Sequence, residues 1–373
     1  MFSNSEQCTL TLNICKNIYM KILIDIGHPA HVHYCRNFIK IMQARGHEFL
    51  IIARDKEIEH SLLESYKIPF VGRGSGKKGR GARVLYYLHS IFILYKNSIK
   101  FNPDILMHTH FAAIVAGLIG KPHISLADTE VAKTSGLLLK IFSKAIITPS
   151  CFLANLGAKQ IRVNSFLELS YLHSNYFTPD PSILQLLKVK GNEKYIILRF
   201  VFWNASHDIG QTGLNLETKR KIVKELSKKA KVFISSESEL PEDFKKYQIK
   251  IPPERIHDAL AYASIFVGEG ATMASECAML GTPAIYINSL SAGTLEEQER
   301  LNLLFGFRTI DGVIDKITEL LKIKNSKDTF KLARDNMMIN QIDPTAFMVW
   351  FIENYPDSKQ IMQNNPEYQM RFK

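Results

Sequence analysis

Short apolar runs alternate with helix-patterned segments along most of the chain. In the first half, buried strands are predicted by the runs 21–26, 48–53, 104–108, 123–127 and 145–148. The segments between most of these runs carry apolar residues at helical spacing. Strands that alternate with helices favour a parallel sheet with helices on both faces, so the pattern predicts an α/β fold.

A second series of the same kind follows a proline-rich joint at 178–181. Its strands are predicted by the runs 195–200, 232–235, 249–251, 265–267 and 284–287. The chain therefore predicts two Rossmann-like domains in tandem. The predicted divisions are an extension at 1–19, an N-terminal domain at 20–178, a linker at 179–193, a C-terminal domain at 194–328, and C-terminal helices with a tail at 329–373. The extension is expected to be disordered.

The segment 265–288 is a complete strand–turn–helix–strand unit. Gly268 and Gly270 interrupt a buried strand and open a helix. Backbone N–H groups at the N-terminus of such a helix are suited to bind phosphate. Thr272 lies in the first turn and can add a hydroxyl donor.

Ser275 and Glu276 follow on the same predicted helix. Glu276 lies one turn after Thr272, so both side chains share one helix face. A carboxylate there is suited to accept hydrogen bonds from sugar hydroxyls beside a bound phosphate. The alternative is an ordinary turn followed by a solvated glutamate.

Three histidines, His28, His31 and His33, follow the first predicted strand. Ligands of parallel sheets bind outside the carboxyl ends of the strands, so this loop is a candidate site. A histidine there could act as a general base near neutral pH. The alternatives are helix capping and solvation, and the lack of a nearby carboxylate cluster disfavours a metal site.

Polar residues also follow other predicted strands. Glu130 comes after the strand 123–127 and is either a general acid or base or a helix-capping residue. In the second half, the apolar strand 195–200 contains Arg199, which is expected to pair with an anion or a carboxylate. The loop after that strand carries His207, and Ser236 follows the strand 232–235.

Composition narrows the classes of partner. The 373 residues carry a formal net charge of +11, which favours an anionic partner. The sequence contains no dinucleotide fingerprint, P-loop, acidic metal-binding pair or nucleic-acid-binding motif, so we expect neither a cofactor nor a nucleic-acid partner. The five cysteines are scattered and odd in number, and no pair of them has the spacing of metal ligands. This pattern indicates a reducing, cytoplasmic setting.

A glycine-rich basic loop at 72–83 precedes an apolar, aromatic segment at 84–101. The segment is either a core helix of the first domain or, together with the loop, a patch that contacts an anionic membrane surface. No apolar run in the sequence is long enough to span a bilayer.

The residues 270–276, followed by Gly281-Thr282-Pro283, resemble the nucleotide-sugar signature of GT-B glycosyltransferases. They are especially similar to the N-acetylglucosaminyltransferase that makes lipid II. The resemblance implies two Rossmann-like domains that face each other across a cleft, with a C-terminal helix returning to the N-terminal domain. It also implies that Ser275 and Glu276 contact ribose and phosphate, that the segment from Ile256 lies against the base, and that Gln298 contacts the donor sugar.

The chain from Met20 to Pro356 is similar to the family called domain of unknown function 354. The similarity rests on the motifs IDIGHPAHVH at 24–33, DTE at 128–130, RFV at 199–201, ASHD at 205–208, SSE at 235–237 and TMASE at 272–276. That family name implies no reaction. The same superfamily contains hydrolysing UDP-N-acetylglucosamine 2-epimerases, in which acidic residues and a histidine at places comparable to Glu130 and His207 act in catalysis.

These resemblances lead to a working hypothesis of a metal-independent glycosyltransferase. It would transfer a sugar from a nucleotide-diphosphate sugar, with UDP as the expected nucleotide, to a glycan or lipid-linked acceptor in surface polysaccharide synthesis. His28 or His31 would deprotonate the acceptor, and Arg199 would neutralise phosphate charge. The alternatives are a nucleotide-sugar 2-epimerase that uses Glu130 and His207, and a GT-B protein that binds a nucleotide or glycan without turnover.

Overall fold

The computed structural model describes residues 19–76, 79–130, 133–191, 193–200, 214–236 and 239–373. These residues form two parallel sheets with helices packed around them. The predicted extension covers residues 1–19, of which 1–18 lie outside the described part of the chain, while the Tyr19 hydroxyl donates to the Glu48 carboxylate.

The N-terminal sheet has the strand order β3-β2-β1-β4-β5-β6-β7, and all neighbouring strands are parallel. Its strands are β1 (Lys21–Ile26), β2 (Glu48–Ala53), β3 (Val71–Gly72), β4 (Ile105–His108), β5 (His123–Leu126), β6 (Ala145–Pro149) and β7 (Gln160–Val163). Its helices are α1 (Pro29–Ala44), α2 (Glu57–Ser65), α3 (Arg80–Phe101), α4 (His110–Ile119), α5 (Lys133–Phe142) and α6 (Leu169–Leu172). Right-handed crossovers put α1 and α2 on one face and α3, α4 and α5 on the other.

The C-terminal sheet has the strand order β12-β11-β10-β8-β9, again parallel throughout. Its strands are β8 (Tyr195–Phe200), β9 (Lys231–Ser236), β10 (Ile265–Gly268), β11 (Ala284–Ile287) and β12 (Leu304–Phe307). Its helices are α7 (Ile183–Leu186), α8 (Leu216–Leu226), α9 (Ile256–Tyr262), α10 (Ala271–Leu280), α11 (Gly293–Arg300), α12 (Val313–Lys322) and α13 (Ser326–Met338).

Two further helices close the chain, α14 (Pro344–Glu353) and α15 (Asp357–Asn364). Helix α14 packs against α1 and α6 of the N-terminal half. Arg45, directly after α1, donates a hydrogen bond of 2.7 Å to Glu353. The predicted return of a C-terminal helix to the N-terminal domain is therefore confirmed.

Each sheet reverses its strand order once, between β1 and β4 in the N-terminal sheet and between β8 and β10 in the C-terminal sheet. Loops diverge at such a switch point and leave a crevice outside the carboxyl ends of the strands, where ligands of open α/β sheets bind. The histidine loop follows β1, and the turn from Gly268 to Gly270 follows β10. The fold therefore puts both predicted loops at switch points.

The predicted linker at 179–193 contains a helix. Ile183, the first residue of α7, is fully buried, and Leu187 joins it in the core beneath the C-terminal sheet. Part of this segment thus packs with the second sheet and does more than connect two domains. The domain boundaries themselves stay predictions.

A buried ion pair fixes the loop after β3. The Arg73 Nε donates to Asp25 Oδ1 at 2.7 Å, and both side chains are almost completely buried. The same guanidinium donates to the hydroxyls of Tyr86 and Ser90 on α3. The glycine-rich loop that the sequence predicts at 72–83 thus contains a residue anchored in the core, and α3 begins at Arg80.

Removing Arg73 should destabilise the protein strongly, because Asp25 would remain buried without its cation. We expect Arg73→Met to lower the free energy of unfolding by about 3–5 kcal/mol, measured by urea denaturation. Arg220→Met is the control, since it removes a solvent-exposed pair with Asp243 and should leave the unfolding midpoint nearly unchanged. Equal shifts for the two variants would contradict the role given to the buried pair.

Candidate functional site

The turn after β10 is shaped by close backbone packing. A Cβ on Gly268 would lie 2.7 Å from the ring of Phe266 and 2.8 Å from Arg199 Cβ, so a larger residue does not fit there. Gly270 is the N-cap of α10, and its extended backbone leads directly into the helix. The first N–H groups of α10 therefore point toward the crevice at the switch point, as phosphate binding requires.

The middle residue of this turn faces away from the crevice. Glu269 is buried, and its carboxylate pairs with Lys219 on α8 at 3.1 Å. It also accepts a hydrogen bond of 2.7 Å from the backbone N–H of Leu214. Lys219 compensates the negative charge of this carboxylate, so Glu269 should repel an anion at the helix N-terminus only weakly.

Glu276 lies where the two halves of the molecule meet. It is 4% exposed. Its Oε1 accepts hydrogen bonds from the Tyr171 hydroxyl at 2.7 Å and from His257 Nε2 at 3.0 Å. Tyr171 belongs to α6 of the N-terminal half, and His257 belongs to α9 of the C-terminal half. The carboxylate predicted as a ribose ligand therefore also joins the two domains.

Aromatic rings surround this carboxylate. The His33 ring stacks on Tyr171 with centroids 5.1 Å apart and meets the His257 ring edge-on at 4.7 Å. Burial, followed by the nearby charge of His257, lowers the pKa of His33 well below its usual value. Burial raises the pKa of Tyr171 well above 10, with the Glu276 charge adding to the effect, so the phenol stays a hydrogen-bond donor at neutral pH.

Buried polar side chains from both halves of the chain lie beside Glu276. Gln298 on α11 donates to the Ser275 hydroxyl at 2.6 Å, and this hydroxyl lies close to Glu168, next to α6. All three side chains are buried. Burial, together with the nearby Asp128 charge, raises the pKa of Glu168 to about 8. Glu168 is therefore a carboxyl group that retains its proton near neutral pH.

The Gln298 side-chain oxygen has no hydrogen-bond partner among the described residues, although the side chain is fully buried. An unsatisfied buried acceptor is unfavourable unless a donor reaches it. Its amide N–H is committed to Ser275. The oxygen is thus available to a donor group such as a ligand hydroxyl or an ordered water.

The remaining predicted nucleotide-sugar ligands lie around the same junction. Arg199, near the end of β8, pairs in register with Gly268 of β10 and donates to the Ser235 hydroxyl at 2.9 Å. Ser236 is the last residue of β9, and Ile256 is the first residue of α9 and half-buried. Thr272 is half-buried in the first turn of α10. His207 lies outside the described residues.

In the histidine loop after β1, two imidazole rings accept hydrogen bonds from nearby backbone N–H groups. His28 is the N-cap of α1, and its Nδ1 accepts from the Ala30 N–H at 3.2 Å. His31 Nδ1 accepts from the Gly27 N–H at 3.3 Å. In a neutral imidazole with this bonding, the proton is on Nε2. Both rings are therefore hydrogen-bond donors toward their surroundings in this arrangement.

A further histidine extends this cluster. His108 ends β4 with a backbone φ of 81°, a left-handed conformation that is uncommon outside glycine. Its ring lies 5.2 Å from His31 between centroids, and its Nε2 is 2.9 Å from Cys35 Sγ. Loss of hydration, followed by the charges of His108 and His28, lowers the pKa of His31 well below its usual value. His31 is therefore neutral at pH 7.

Glu130 is held against the loop after β6. Its Oε1 accepts a 2.6 Å hydrogen bond from the Leu153 N–H, and its Oε2 has no partner among the described residues. Neighbouring Asp128 accepts a 2.7 Å hydrogen bond from the Tyr34 hydroxyl. One oxygen of the Glu130 carboxylate is thus fixed, and the other is buried without a partner among the described residues.

A cavity of about 220 Å³ lies beside this loop. The residues that line it come from both halves of the chain: Ser150, Cys151, Ser165, Phe166, Glu297 and Gln341. The two walls touch at one end, where a Cβ on Gly293 would lie only 1.9 Å from the Cys151 carbonyl oxygen. A glycine at the start of α11 thus permits the close approach of the two domains.

Several residues of the site were missed at the sequence level. Tyr171 and Glu168 lie in the largely apolar stretch 165–172, which is typical of a core segment, and His257 lies in a helix with no motif of its own. The one available signal was Glu168, a carboxylate among apolar residues. His108 gave no signal, because its backbone conformation is visible only in the structure.

The pKa of Glu168 predicts a pH dependence of stability. An unfolded glutamate releases its proton near pH 4.5, while Glu168 in the folded protein holds its proton to about pH 8. The contribution of Glu168 to folding stability should therefore fall between these values, by about 1.4 kcal/mol for each pH unit. Glu168→Gln removes this proton uptake, so its stability relative to the parent should rise from pH 5 to pH 8 and then level off.

Urea denaturation at a series of pH values measures this difference. Glu225→Gln on α8 is the control, because its carboxylate is exposed and titrates below the tested range. Stability curves that run parallel for Glu168→Gln and the parent would show that Glu168 is ionised in the folded protein.

The chain is similar to known proteins in both sequence and fold. Over 358 residues the chain is 25% identical to the uncharacterized protein MJ0665 of Methanocaldococcus jannaschii, covering 91% of this chain and 99% of that protein. Its fold is similar to that of UDP-GlcNAc 2-epimerase from Neisseria meningitidis bound to UDP-GlcNAc, with a TM-score of 0.65 and 13% identity over 94% of this chain and 100% of the other.

The fold is also similar to that of the spinosyn forosaminyltransferase SpnP, with a TM-score of 0.57 and 14% identity over 95% of this chain and 100% of the other. At these identities the likeness concerns the fold, and it confirms the predicted GT-B architecture of two parallel-sheet domains. The family model described as protein of unknown function (DUF354) matches residues 20–341. The chain therefore belongs to the DUF354 family.

Proposed function

We propose that this protein is a glycosyltransferase that uses a nucleotide-diphosphate sugar, with UDP as the nucleotide, and that it needs no metal ion for catalysis. The observation that carries the proposal is the unit from Gly268 to Glu276. It combines an anion-binding helix N-terminus with a carboxylate one turn further on, at a switch point and at the domain junction. Proteins of the same fold that are named for UDP or UDP-sugars lend support.

In this proposal the donor lies along α10. The diphosphate binds the first N–H groups of the helix and the Thr272 hydroxyl, and Arg199 supplies positive charge. The ribose hydroxyls donate to Glu276, and the base lies toward Ile256. The sugar lies toward Gln298, whose side-chain oxygen has no partner in the described part of the chain and can accept a hydrogen bond from a sugar hydroxyl.

Binding of the donor ribose to Glu276 would affect the contacts that this carboxylate makes at the domain junction. Its Oε1 already accepts from Tyr171 and His257. A ribose must therefore use the second carboxylate oxygen or displace the Tyr171 hydroxyl. Because Tyr171 belongs to the opposite domain, the second route would couple nucleotide binding to movement of the two domains.

The acceptor hydroxyl needs a base as it attacks the sugar. His28 and His31 carry Nε2 protons in the observed arrangement, so we assign them as donors that orient oxygen atoms. We assign Glu130 as the base, because its Oε1 is fixed by the Leu153 N–H and its Oε2 has no partner among the described residues. A general base of this kind contributes about 10²–10⁴-fold in rate. The acceptor we propose is a glycan or a lipid-linked sugar.

A nucleotide-sugar 2-epimerase is the second candidate. It is favoured by the fold likeness to UDP-GlcNAc 2-epimerases and by Glu168, a protonated carboxyl group beside Ser275 that could act as an acid. The sequence hypothesis assigns the acid and base roles of that reaction to Glu130 and His207, and Glu168 is a further candidate for the acid. It differs from the transferase reaction in needing no acceptor.

Calorimetry with UDP tests the ribose contact. We expect Glu276→Ala to weaken UDP binding by about 10–100-fold, because one or two charged hydrogen bonds are lost. The variant should bind 2′-deoxy-UDP and UDP with nearly equal affinity, whereas the parent should prefer UDP. Glu296→Ala, an exposed position on α11, is the matched control. An unchanged preference for UDP in Glu276→Ala would remove the ribose assignment.

Product analysis separates the two reactions. A transferase incubated with UDP-GlcNAc and no acceptor should release little UDP, and a panel of glycan and lipid-linked acceptors should raise the release. An epimerase should form a ManNAc-type product or free UDP without any acceptor. With the productive substrate, Glu130→Gln should lower kcat by about 10²-fold or more while leaving UDP affinity unchanged.

A further inference from the structure

Helix α3 presents a continuous apolar stripe to solvent. Leu85, Leu88, Phe92, Tyr95 and Ile99 are 68%, 61%, 59%, 42% and 57% exposed, respectively. Their spacing alternates between three and four residues, which places them on one face of the helix. Large apolar side chains that form such a contiguous row on a protein surface mark an interaction site.

The opposite face of α3 is firmly packed. Ser90, Leu94 and Ser98 are fully buried against the N-terminal sheet and its helices. Arg73 ties the N-terminal part of the helix to Asp25 through its bonds to Tyr86 and Ser90. The apolar stripe is thus the outer face of a fixed helix, and folding of this chain leaves it uncovered.

The apolar surface continues onto the next helices. Helices α3, α4 and α5 lie side by side on one face of the N-terminal sheet, with α4 in contact with both neighbours. Leu118 at the end of α4 is 63% exposed, and Leu137 and Ile141 on α5 are also exposed. We call the exposed side chains of α3, α4 and α5 the apolar–basic face.

The charges on this face have one sign. The sequences of α3, α4 and α5 contain no aspartate or glutamate. Arg83, Lys96 and Lys100 on α3 and Lys140 on α5 are exposed. Exposed apolar side chains between basic ones match a surface whose interior is apolar and whose outer layer is anionic.

We propose that the apolar–basic face docks on the surface of an anionic phospholipid bilayer, with the α3 stripe entering the interface and the lysines contacting lipid headgroups. None of the helices in the described part of the chain is long and apolar enough to cross a membrane, so the contact is peripheral. The proposal does not depend on the proposed reaction, because the face lies on the N-terminal half and the α10 site lies on the C-terminal half.

A second copy of the chain fits this face less well. A symmetric dimer would bring two like surfaces together and place the basic residues of one copy against those of the other. No acidic residue of α3, α4 or α5 would compensate them. The charge pattern therefore favours lipid over self-association.

Vesicle cosedimentation tests the docking. We expect the full-length protein to bind vesicles of phosphatidylglycerol and phosphatidylcholine, and to bind pure phosphatidylcholine at least tenfold more weakly. Leu88→Gln combined with Phe92→Gln should reduce binding to the anionic vesicles by tenfold or more. Lys96→Glu combined with Lys100→Glu should do the same, and salt should weaken binding of the parent.

Leu332→Gln combined with Ile339→Gln is the matched control, because both residues are as exposed but lie in and next to α13. That variant should bind like the parent. All variants change exposed side chains, and thermal unfolding with calorimetric UDP binding checks that each is folded and keeps its nucleotide site. Docking should thus be lost without loss of UDP binding.

Equal binding of all variants, or no binding of the parent to anionic vesicles, would overturn the proposal. A third outcome would overturn it in favour of self-association. In that case, light scattering without vesicles would show a parent dimer that Leu88→Gln with Phe92→Gln converts to a monomer. If the parent protein bound anionic vesicles but did not bind UDP, the proposed function would be overturned and the docking proposal would stand.

Discussion

The buried charge of Glu276 is the constraint on which most of the site depends. An ionised carboxylate that is 4% exposed is costly unless hydrogen-bond donors replace the lost water. Tyr171 and His257 provide them, one from each side of the domain junction. The carboxylate therefore has both hydrogen-bond donors only when the two domains approach each other closely. His33 packs against both donors.

The same junction shows how acidic groups are distinguished by their surroundings. Glu269 is neutralised by Lys219, Glu276 is held by two donors, and Glu168 is buried with a raised pKa. Glu130 has one oxygen fixed by the Leu153 N–H and one without a partner among the described residues. Carboxyl groups of the same kind thus have different surroundings at each position, because their burial and their partners differ.

The sequence predicted the two-sheet architecture well because buried parallel strands form unmistakable apolar runs. It missed β3, which is only two residues long, and β7 and β12, which are four residues long and partly polar or exposed. The predicted strand at 249–251 is wrong: only Gln248 forms an isolated bridge, to Ile234. Three residues next to two prolines are too few to sustain a ladder.

The sequence predicted those parts of the site that depend on local patterns and missed those that depend on contacts between distant residues. The turn at Gly268 and the helix with Glu276 were visible in the sequence, because glycine spacing and helix periodicity are local signals. Tyr171 is 105 residues away from Glu276 along the chain, so no local pattern could pair them. The tautomers of His28 and His31 depend on backbone N–H groups that the sequence does not place.

We propose that α10 and Glu276 form a nucleotide-binding unit at the domain junction. The most direct test is a crystal structure of the protein with UDP. We expect the diphosphate to lie within hydrogen-bond distance of the first N–H groups of α10, and the ribose hydroxyls within hydrogen-bond distance of the Glu276 carboxylate. UDP bound elsewhere, with Glu276 still bonded to Tyr171 and without contact to the nucleotide, would contradict it.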